Sequence, residues 1–318
     1  MSKSIPNPTD IRESRVSDSD RTEYAKLYNK HIDEQPFHWE FSVVPGMFKQ
    51  SSSQTDETTF DTVKSHFGVI PTWDEVVETL NSLNENSNSD EVQYKLFILA
   101  RHGQGVHNLK YNEDPVAWDA KWNRLYTDGV STWGPDPQLT ELGIEQALDN
   151  NKTWKQELVN NKHNNKDLIK PTRFFSSPFS RSIDTLFNTW KDIVDLKEVK
   201  PLIQEQWRET IGMSTCDQRS PRSVIAKRYE DLGFVIEPGF AEEDIYWTPD
   251  HRETVAELAL RQHKGFEEIF NNHTNDKIVN ITSHSNAIRA QLVALGHRQF
   301  AISTGGTIPV FVKAVKVK

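Results

Sequence analysis

Three apolar runs in this chain each end in a polar loop, and a repeated pattern of that kind leaves few folds open. Leu96-Phe97-Ile98-Leu99-Ala100 enters Arg101-His102-Gly103-Gln104. Thr172-Arg173-Phe174-Phe175 enters Ser176-Ser177-Pro178-Phe179-Ser180-Arg181, followed by a helix-like stretch from Ser182 to Trp190. Lys277-Ile278-Val279-Asn280-Ile281-Thr282 enters Ser283-His284-Ser285-Asn286, followed by Ala287 to Leu295. Short runs without polar alternation mark strands buried on both faces, as in a parallel sheet covered by helices. In such sheets ligands bind beyond the carboxyl ends of the strands. If the three strands are neighbours, Arg101, His102, Arg181 and His284 converge at one edge, with two helix N-termini directed at the same place. That arrangement is an anion site.

The composition fits an α/β enzyme of ordinary polarity. The 318 residues carry 37 Lys+Arg against 46 Asp+Glu, a net charge of −9, which argues against nucleic acid or an anionic membrane as the main partner. Apolar residues make up 36% and charged residues 26%, near globular averages. The single cysteine, Cys216, has no partner for an intramolecular disulfide. Met1-Ser2-Lys3-Ser4-Ile5-Pro6 has no apolar h-region, and no run approaches the ~18 apolar residues of a membrane span. Cytoplasm, or the nucleus, is the expected location. The histidines outside the loops, such as His31, His38, His66, His163 and His273, show no metal-ligand spacing. No metal and no cofactor are expected.

At this point the residues resemble a known family, the histidine phosphatase superfamily, in its phosphoglycerate-mutase-like branch. Arg101-His102-Gly103 with Asn108 is similar to the family's Arg-His-Gly-x-x-x-x-Asn, and Leu139-Thr140-x-x-Gly143-x-x-Gln146-Ala147 to its first helix signature. Ser176-Ser177-Pro178 with Arg181 and Thr185 resembles the second arginine block, Trp207-Arg208-Glu209 the acid loop, and Ser283 to Arg289 the closing histidine block. The blocks span about residues 94 to 317. The fold this implies is a three-layer α/β sandwich with a mostly parallel central sheet.

The resemblance implies roles that suit phosphoryl transfer, whose loose transition state needs in-line positioning and neutralised equatorial oxygens. His102 is the implied nucleophile, with one ring nitrogen attacking phosphorus and the other donating to a backbone carbonyl. Arg101, Arg181 and His284 are the implied clamp, and Asn108, Gly103 and Ser285 are further phosphate contacts. Gly103 is explained as backbone that must approach closely without a Cβ. Glu209 is the implied proton donor, although Glu205 lies four residues earlier, a spacing that could put it on the same face. His107 has no role in the pattern and reads as a solvated loop residue.

Two departures bear on the reaction. An Asp directly after the second histidine would mark the secreted acid phosphatases of the other branch, and here Ser285 stands there. Cofactor-dependent mutases carry Glu-Ser after Arg-His-Gly and a Lys/Tyr/Gly-rich segment before the second histidine. This chain has Gln104-Gly105 and no such segment between Glu209 and His284. Hydrolysis of a small phosphate monoester is therefore the expected activity, a phosphomutase using the same intermediate the alternative. A non-catalytic scaffold or complex subunit is a further alternative, but such relatives typically lose a charged catalytic residue. The resemblance admits sugar phosphates, nucleotides, thiamine diphosphate and small organic phosphates alike.

The stretch from Gly212 through Cys216-Asp217, Arg219-Ser220, Glu243-Asp244, Trp247, Arg252 and Glu253 resembles a fungal and plant subgroup of phosphomutase-like proteins. Asp217, Arg219, Arg222 and Trp247 are candidates for a substrate loop, against a solvated charged loop and core aromatics. Residues 1–34 read as a flexible or loosely packed arm, 35–92 as an extension packed on the core by its aromatics, and 93–318 as the catalytic domain with an insertion at about 210–255. Asn81 to Asp90 reads as an exposed linker, and the Asn/Lys-rich stretch from Asn160 to Lys166 separates the Leu142-to-Leu158 helix from the next strand.

Overall fold

The computed structural model describes residues 4–160 and 168–318. The Asn/Lys-rich stretch read as a separator falls, after Asn160, outside the described residues. Helices α1 (Pro8–Glu13) and α2 (Asp18–Asp33) precede β1 (His38–Val43), and α3 (Trp73–Glu85) leads into β2 (Val92–Arg101). Next come α4 (Val106–Glu113), α5 (Pro115–Ala120), α6 (Glu141–Val159), β3 (Arg173–Ser176), α7 (Ser180–Trp190), α8 (Leu196–Val199) and β4 (Leu202–Ile203). The chain ends with α9 (Arg222–Tyr229), β5 (Val235–Ile236), α10 (Val255–Asn272), β6 (Ile278–Ser283), α11 (Ser285–Ala294) and β7 (Thr307–Val317).

The seven strands form one sheet in the order β1-β7-β2-β6-β3-β4-β5. From β2 to β5 all neighbours are parallel, while β7 runs antiparallel to β2 and β1 antiparallel to β7. Alternation along β2 sorts the core into two layers. Leu96 and Ile98 pack with Val76, Trp154, Ile183 and Trp190 on one face, and Phe97 and Leu99 pack with Phe266, Phe270, Ile288 and Leu292 on the other. Helices thus cover both faces of a mostly parallel sheet, the three-layer α/β sandwich that the apolar runs imply.

The register places the site. Arg101 pairs with Ser283 and Thr282 with Ser176, so β2, β6 and β3 end together and their next residues, His102, His284 and Ser177, emerge side by side. The amide of His102 donates to Ser283 O at 3.0 Å and that of Ser177 to Thr282 O at 3.0 Å, which carries the ladder one step past the strands.

The N-terminal third is more ordered than its polarity suggests. Thr72 and Glu75 form a capping box, and α3 then presents Trp73, Val76, Val77 and Leu80 at helical spacing to the core. Helix α3 runs to Glu85, so the first half of the expected linker is helical. The first 34 residues, read as an arm, contain α1 and α2, each closed at its start by a capping box. Helix α2 lies on α10 through Tyr24 Oη to His263 Nδ1 (3.2 Å) and His31 Nε2 to Glu267 Oε2 (2.9 Å). Asp10 on α1 is only 4% exposed, because it lies on Arg101.

Candidate active site

A cavity of about 340 Å³ opens over the carboxyl ends of β2 and β6. His102, Arg181, Glu209, Asp217, Asn108 and Ser285 line it, and Arg101 and His284 are buried immediately behind. The polar loops after the three strands therefore do meet at one place. The rings of His102 and His284 lie 5.0 Å apart.

His102 Nδ1 is 2.7 Å from Gly103 O, an acceptor, so this nitrogen carries the ring proton and Nε2 keeps its lone pair. Burial, followed by the charges of Arg181 and Arg101, holds this imidazole well below its ordinary pKa and hence neutral. His284 is neutral for the same reasons, burial and then Arg181. Its Nε2 lies 2.6 Å from Ser177 Oγ and 3.3 Å from Ser182 Oγ, while Nδ1 is buried with no protein partner.

The two arginines are placed differently. Arg181, on the first turn of α7, donates to Cys216 O (2.9 Å) and Asp217 Oδ1 (3.3 Å), with its guanidinium over the Phe179 ring. Arg101 donates to Asp10 Oδ1 (2.6 Å) and Ile302 O (2.7 Å), and its other terminal nitrogen stands 3.6 Å from Glu13. In both side chains Nε is buried and unpartnered. Helix N-termini are less available than the sequence suggests, since each has drawn in a carboxylate. Asp136 accepts from Ser180 N at 2.7 Å at α7, and Glu209 accepts from Asn286 N at 3.3 Å at α11.

Gly103 makes a close approach, but to protein and not to an open anion site. A Cβ there would fall 2.2 Å from Gly143 O at the start of α6, and the Gly103 amide already donates to Thr185 Oγ1 at 2.9 Å. Asn108 lines the cavity while its Oδ1 accepts from Gly105 N at 2.9 Å, leaving Nδ2 as its free donor. Cys216 also lines the cavity, yet burial and then Asp217 push its thiol well above the ordinary range, which removes the thiolate as a nucleophile.

Glu209 is held by three contacts. Its Oε1 accepts from Thr210 N (2.8 Å) and Thr210 Oγ1 (3.2 Å), and its Oε2 from Asn286 N. Behind it Arg208, fully buried, forms a bidentate pair with Asp244 (2.9 and 2.7 Å) and also donates to Glu205 (3.0 Å) and Asp217 O (2.9 Å). Glu205, the competing acid in the sequence, is thereby committed to Arg208 and to Arg219 Nε at 2.6 Å. Burial opposes ionisation of Asp244, but Arg208 overcomes it and keeps that carboxyl below its usual range.

The expected substrate loop divides. Asp217 lines the cavity, between Arg181 and Arg252 Nη1 at 3.5 Å. Arg219 does not reach it: its guanidinium is buried against Phe240 and donates to the carbonyls of Ser220, Ala241, Glu242 and Glu243. Arg222 faces solvent on α9, its side chain 43% exposed and 4.0 Å from Glu230. Trp247 stands behind the wall and donates to Ser214 O at 2.9 Å. Arg219, through Glu205, joins the ion network of Arg208 and Asp244 next to Glu209, and Arg222 stands outside it.

Sequence reading missed several lining residues. His107 is not solvated but 9% exposed on α4, its ring 5.5 Å from that of His102. A signal was present in Gly105, whose Cβ would fall 2.7 Å from that ring. Tyr111, Trp118, Asn123 and Arg252 also line it, as does Glu13 of α1, a residue no block of the sequence marks. Among the described residues no group of three or more His, Cys, Asp or Glu is placed to hold a metal ion, and no helix is long and apolar enough to cross a membrane.

Comparison with known proteins shows the family. The chain is 35% identical over 292 residues to a protein of Arthroderma benhamiae named probable phosphoglycerate mutase, covering 86% of this chain and 84% of that one. It is 33% identical to probable phosphoglycerate mutase PMU1 of Saccharomyces cerevisiae (85% and 95% covered) and 34% identical to phosphomutase-like protein 3 of Candida albicans (82% and 74%). Residues 97–303 match the model of the histidine phosphatase superfamily, branch 1, and the chain belongs to that superfamily.

Proposed function

We propose that this protein is a phosphatase that hydrolyses a small phosphate monoester through a phosphohistidine on His102. The observation that carries the reading is the state of His102. It is a neutral imidazole with its proton fixed on Nδ1, and it lines a cavity with Arg181 while Arg101 and His284 stand behind. Nε2 attacks phosphorus in line, and the phosphorus–ester oxygen bond breaks. Arg181, Arg101 and the unpartnered Nδ1 of His284 offer donors to the equatorial oxygens. Glu209 gives a proton to the leaving oxygen and takes one from the water that then attacks the phosphohistidine, which returns Nε2 to its starting state. The substrate is a small phosphorylated metabolite, for which 340 Å³ leaves room beyond the phosphate itself.

The names of the relatives favour a mutase instead, which would keep the phosphoryl group from water and return it to the substrate. Supporting hydrolysis are Gln104-Gly105 after the first histidine and a stretch from Glu209 to His284 without the mutases' Lys/Tyr/Gly-rich segment. One experiment tests both. The protein is incubated with labelled phosphate esters, quenched in base and examined for an acid-labile, base-stable label, and the products are sorted into inorganic phosphate and rearranged ester. Label on the protein with release of inorganic phosphate is the expected outcome. Rearranged ester as the main product would establish the mutase, and an unlabelled protein that releases nothing from a broad panel would leave neither.

A further inference from the structure

Helix α1 lies outside the segment that matches the superfamily, yet it is fastened to the site from several sides. Asp10 pairs with Arg101 at 2.6 Å, Arg12 with Tyr111 Oη, and Arg289 of α11 donates to Glu13 O at 3.0 Å. Just after the helix, Arg15 pairs with Glu57 at 2.8 Å. These contacts put the Glu13 side chain into the cavity lining, next to the guanidinium that the family pattern assigns to phosphate. Its Oε2 is buried, 3.6 Å from Arg101, and makes no hydrogen bond to protein.

A buried carboxyl oxygen without a hydrogen bond at this position has two possible effects on a bound phosphate. Ionised, it adds a negative charge beside a dianion, next to an arginine whose charge Asp10 already balances. Neutral, it supplies an O–H donor where a phosphate oxygen needs one. We propose that Glu13 is a phosphate-binding residue of this site and acts as the neutral carboxylic acid, so that the protein holds one more proton when a tetrahedral dianion is bound.

The surroundings favour that form. Burial raises the Glu13 pKa first of all, and Glu209 and Asp10 raise it further, against the lowering effects of Arg101 and a hydrogen bond with Ser285. Glu13 is also the last residue of α1, where the helix dipole disfavours a negative charge. The other charged or titratable groups around it are Arg289 on α11 and Tyr111 on α4, the latter already engaged by Arg12. His102, His107 and His284 are held neutral by burial and the arginines and do not replace it in the same pH range.

The inference rests on the phosphate site read above, so its main readout is binding and not turnover. Sulfate, a dianion throughout the range, is titrated calorimetrically into the full chain between pH 4.5 and 8. Wild type should lose affinity by about tenfold per pH unit above the Glu13 pKa, the slope for one linked proton. Glu13→Gln, which donates without titrating, should bind with a flat profile, and Glu13→Ala should be flat and weaker at the acid end. Glu209→Gln should keep a one-proton slope with its midpoint moved to lower pH, because the Glu209 charge raises the Glu13 pKa. A wild-type slope in Glu13→Gln would overturn the inference, as would absence of sulfate binding at any pH. A leaving-group-dependent loss of kcat in Glu13→Gln would also overturn it, making the residue a proton donor to the ester oxygen. Failure of every ester to react, with the sulfate slope intact, would remove the phosphatase and leave Glu13 as assigned.

Discussion

At the floor of the cavity His102, Ser177 and His284 each follow a strand directly and are placed by the backbone ladder, whereas the walls carry Glu209, Asp217 and Glu13 on segments outside the sheet, held by buried ion pairs. The difference has consequences for substitution. A ladder position does not depend on its own side chain, so changing the floor should alter chemistry and spare the fold. A wall held by charged partners loses both when one partner goes, because the remaining charge stays buried without compensation.

His102→Ala is the largest expected effect on the floor. Turnover and the base-stable label should both vanish, since no other nucleophile is placed to replace the imidazole, while the melting temperature stays near wild type. Retention of label would move the nucleophile elsewhere; a large loss of stability would show that the floor depends on its side chains after all. The matching wall substitution is Asp244→Ala, which strips Arg208 of its bidentate partner. Removing one side of a buried pair typically costs about 3–5 kcal/mol, readable by urea denaturation, and activity should fall with it because Glu209 adjoins Arg208. A loss below about 1 kcal/mol would mean that Glu205 alone holds Arg208.

Arg181→Ala tests a residue that belongs to both regions, since it lines the cavity with His102 and also holds Cys216 O and Asp217. Its kcat/KM should drop by about 10²–10³, the scale of removing one oxyanion donor. Near-full activity would break the picture of convergent loops. Glu209→Gln should be milder and selective, about a hundredfold on alkyl phosphates and under about tenfold on p-nitrophenyl phosphate, whose leaving group needs no proton. Equal losses on both esters would make Glu209 a structural member of the wall.

The same contrast decides what could be read from the sequence. The floor was legible because its determinants are local: an apolar run and a polar loop three times over, followed twice by a helix start, so that adjacency of the strands was the only long-range assumption. The walls are assembled from distant segments whose local sequence says little. Asp217 and Arg219 stand two residues apart in the same charged stretch, yet one faces the cavity and the other lies buried against Phe240. What sorts them is the position of Glu205 and Asp244, which no periodicity reveals. His107 looked solvated because it follows Gly105 in a polar loop, but that glycine is where the imidazole folds back. Glu13 was illegible because Ser-Asp-rich flanks hide the pairing of Asp10 with Arg101.

The smallest effect concerns how α2 and β1, which follow α1, are anchored to the body. Glu267 on α10 meets His31 of α2 at 2.9 Å, the Trp39 amide of β1 at 3.3 Å and His263 at 3.6 Å. Burial opposes its ionisation, but His263 beside it at 3.6 Å and the hydrogen bond with His31 bring its pKa down from 4.5 to about 2. A carboxyl with a depressed folded-state pKa contributes stability that is present above the unfolded value and is lost as pH falls through the folded one. Glu267→Gln should therefore be less stable than wild type at pH 5–6, and the gap should close between pH 4.5 and about 2. The carboxylate keeps some contact with solvent, so a gap of about 1 kcal/mol is expected after screening. Because Glu267 lies outside the cavity lining, kcat on p-nitrophenyl phosphate should change less than twofold. A larger loss of kcat would show that the position of α1, and with it Glu13, depends on how α2 is docked, and would make the N-terminal helices one mechanical unit with the wall of the site.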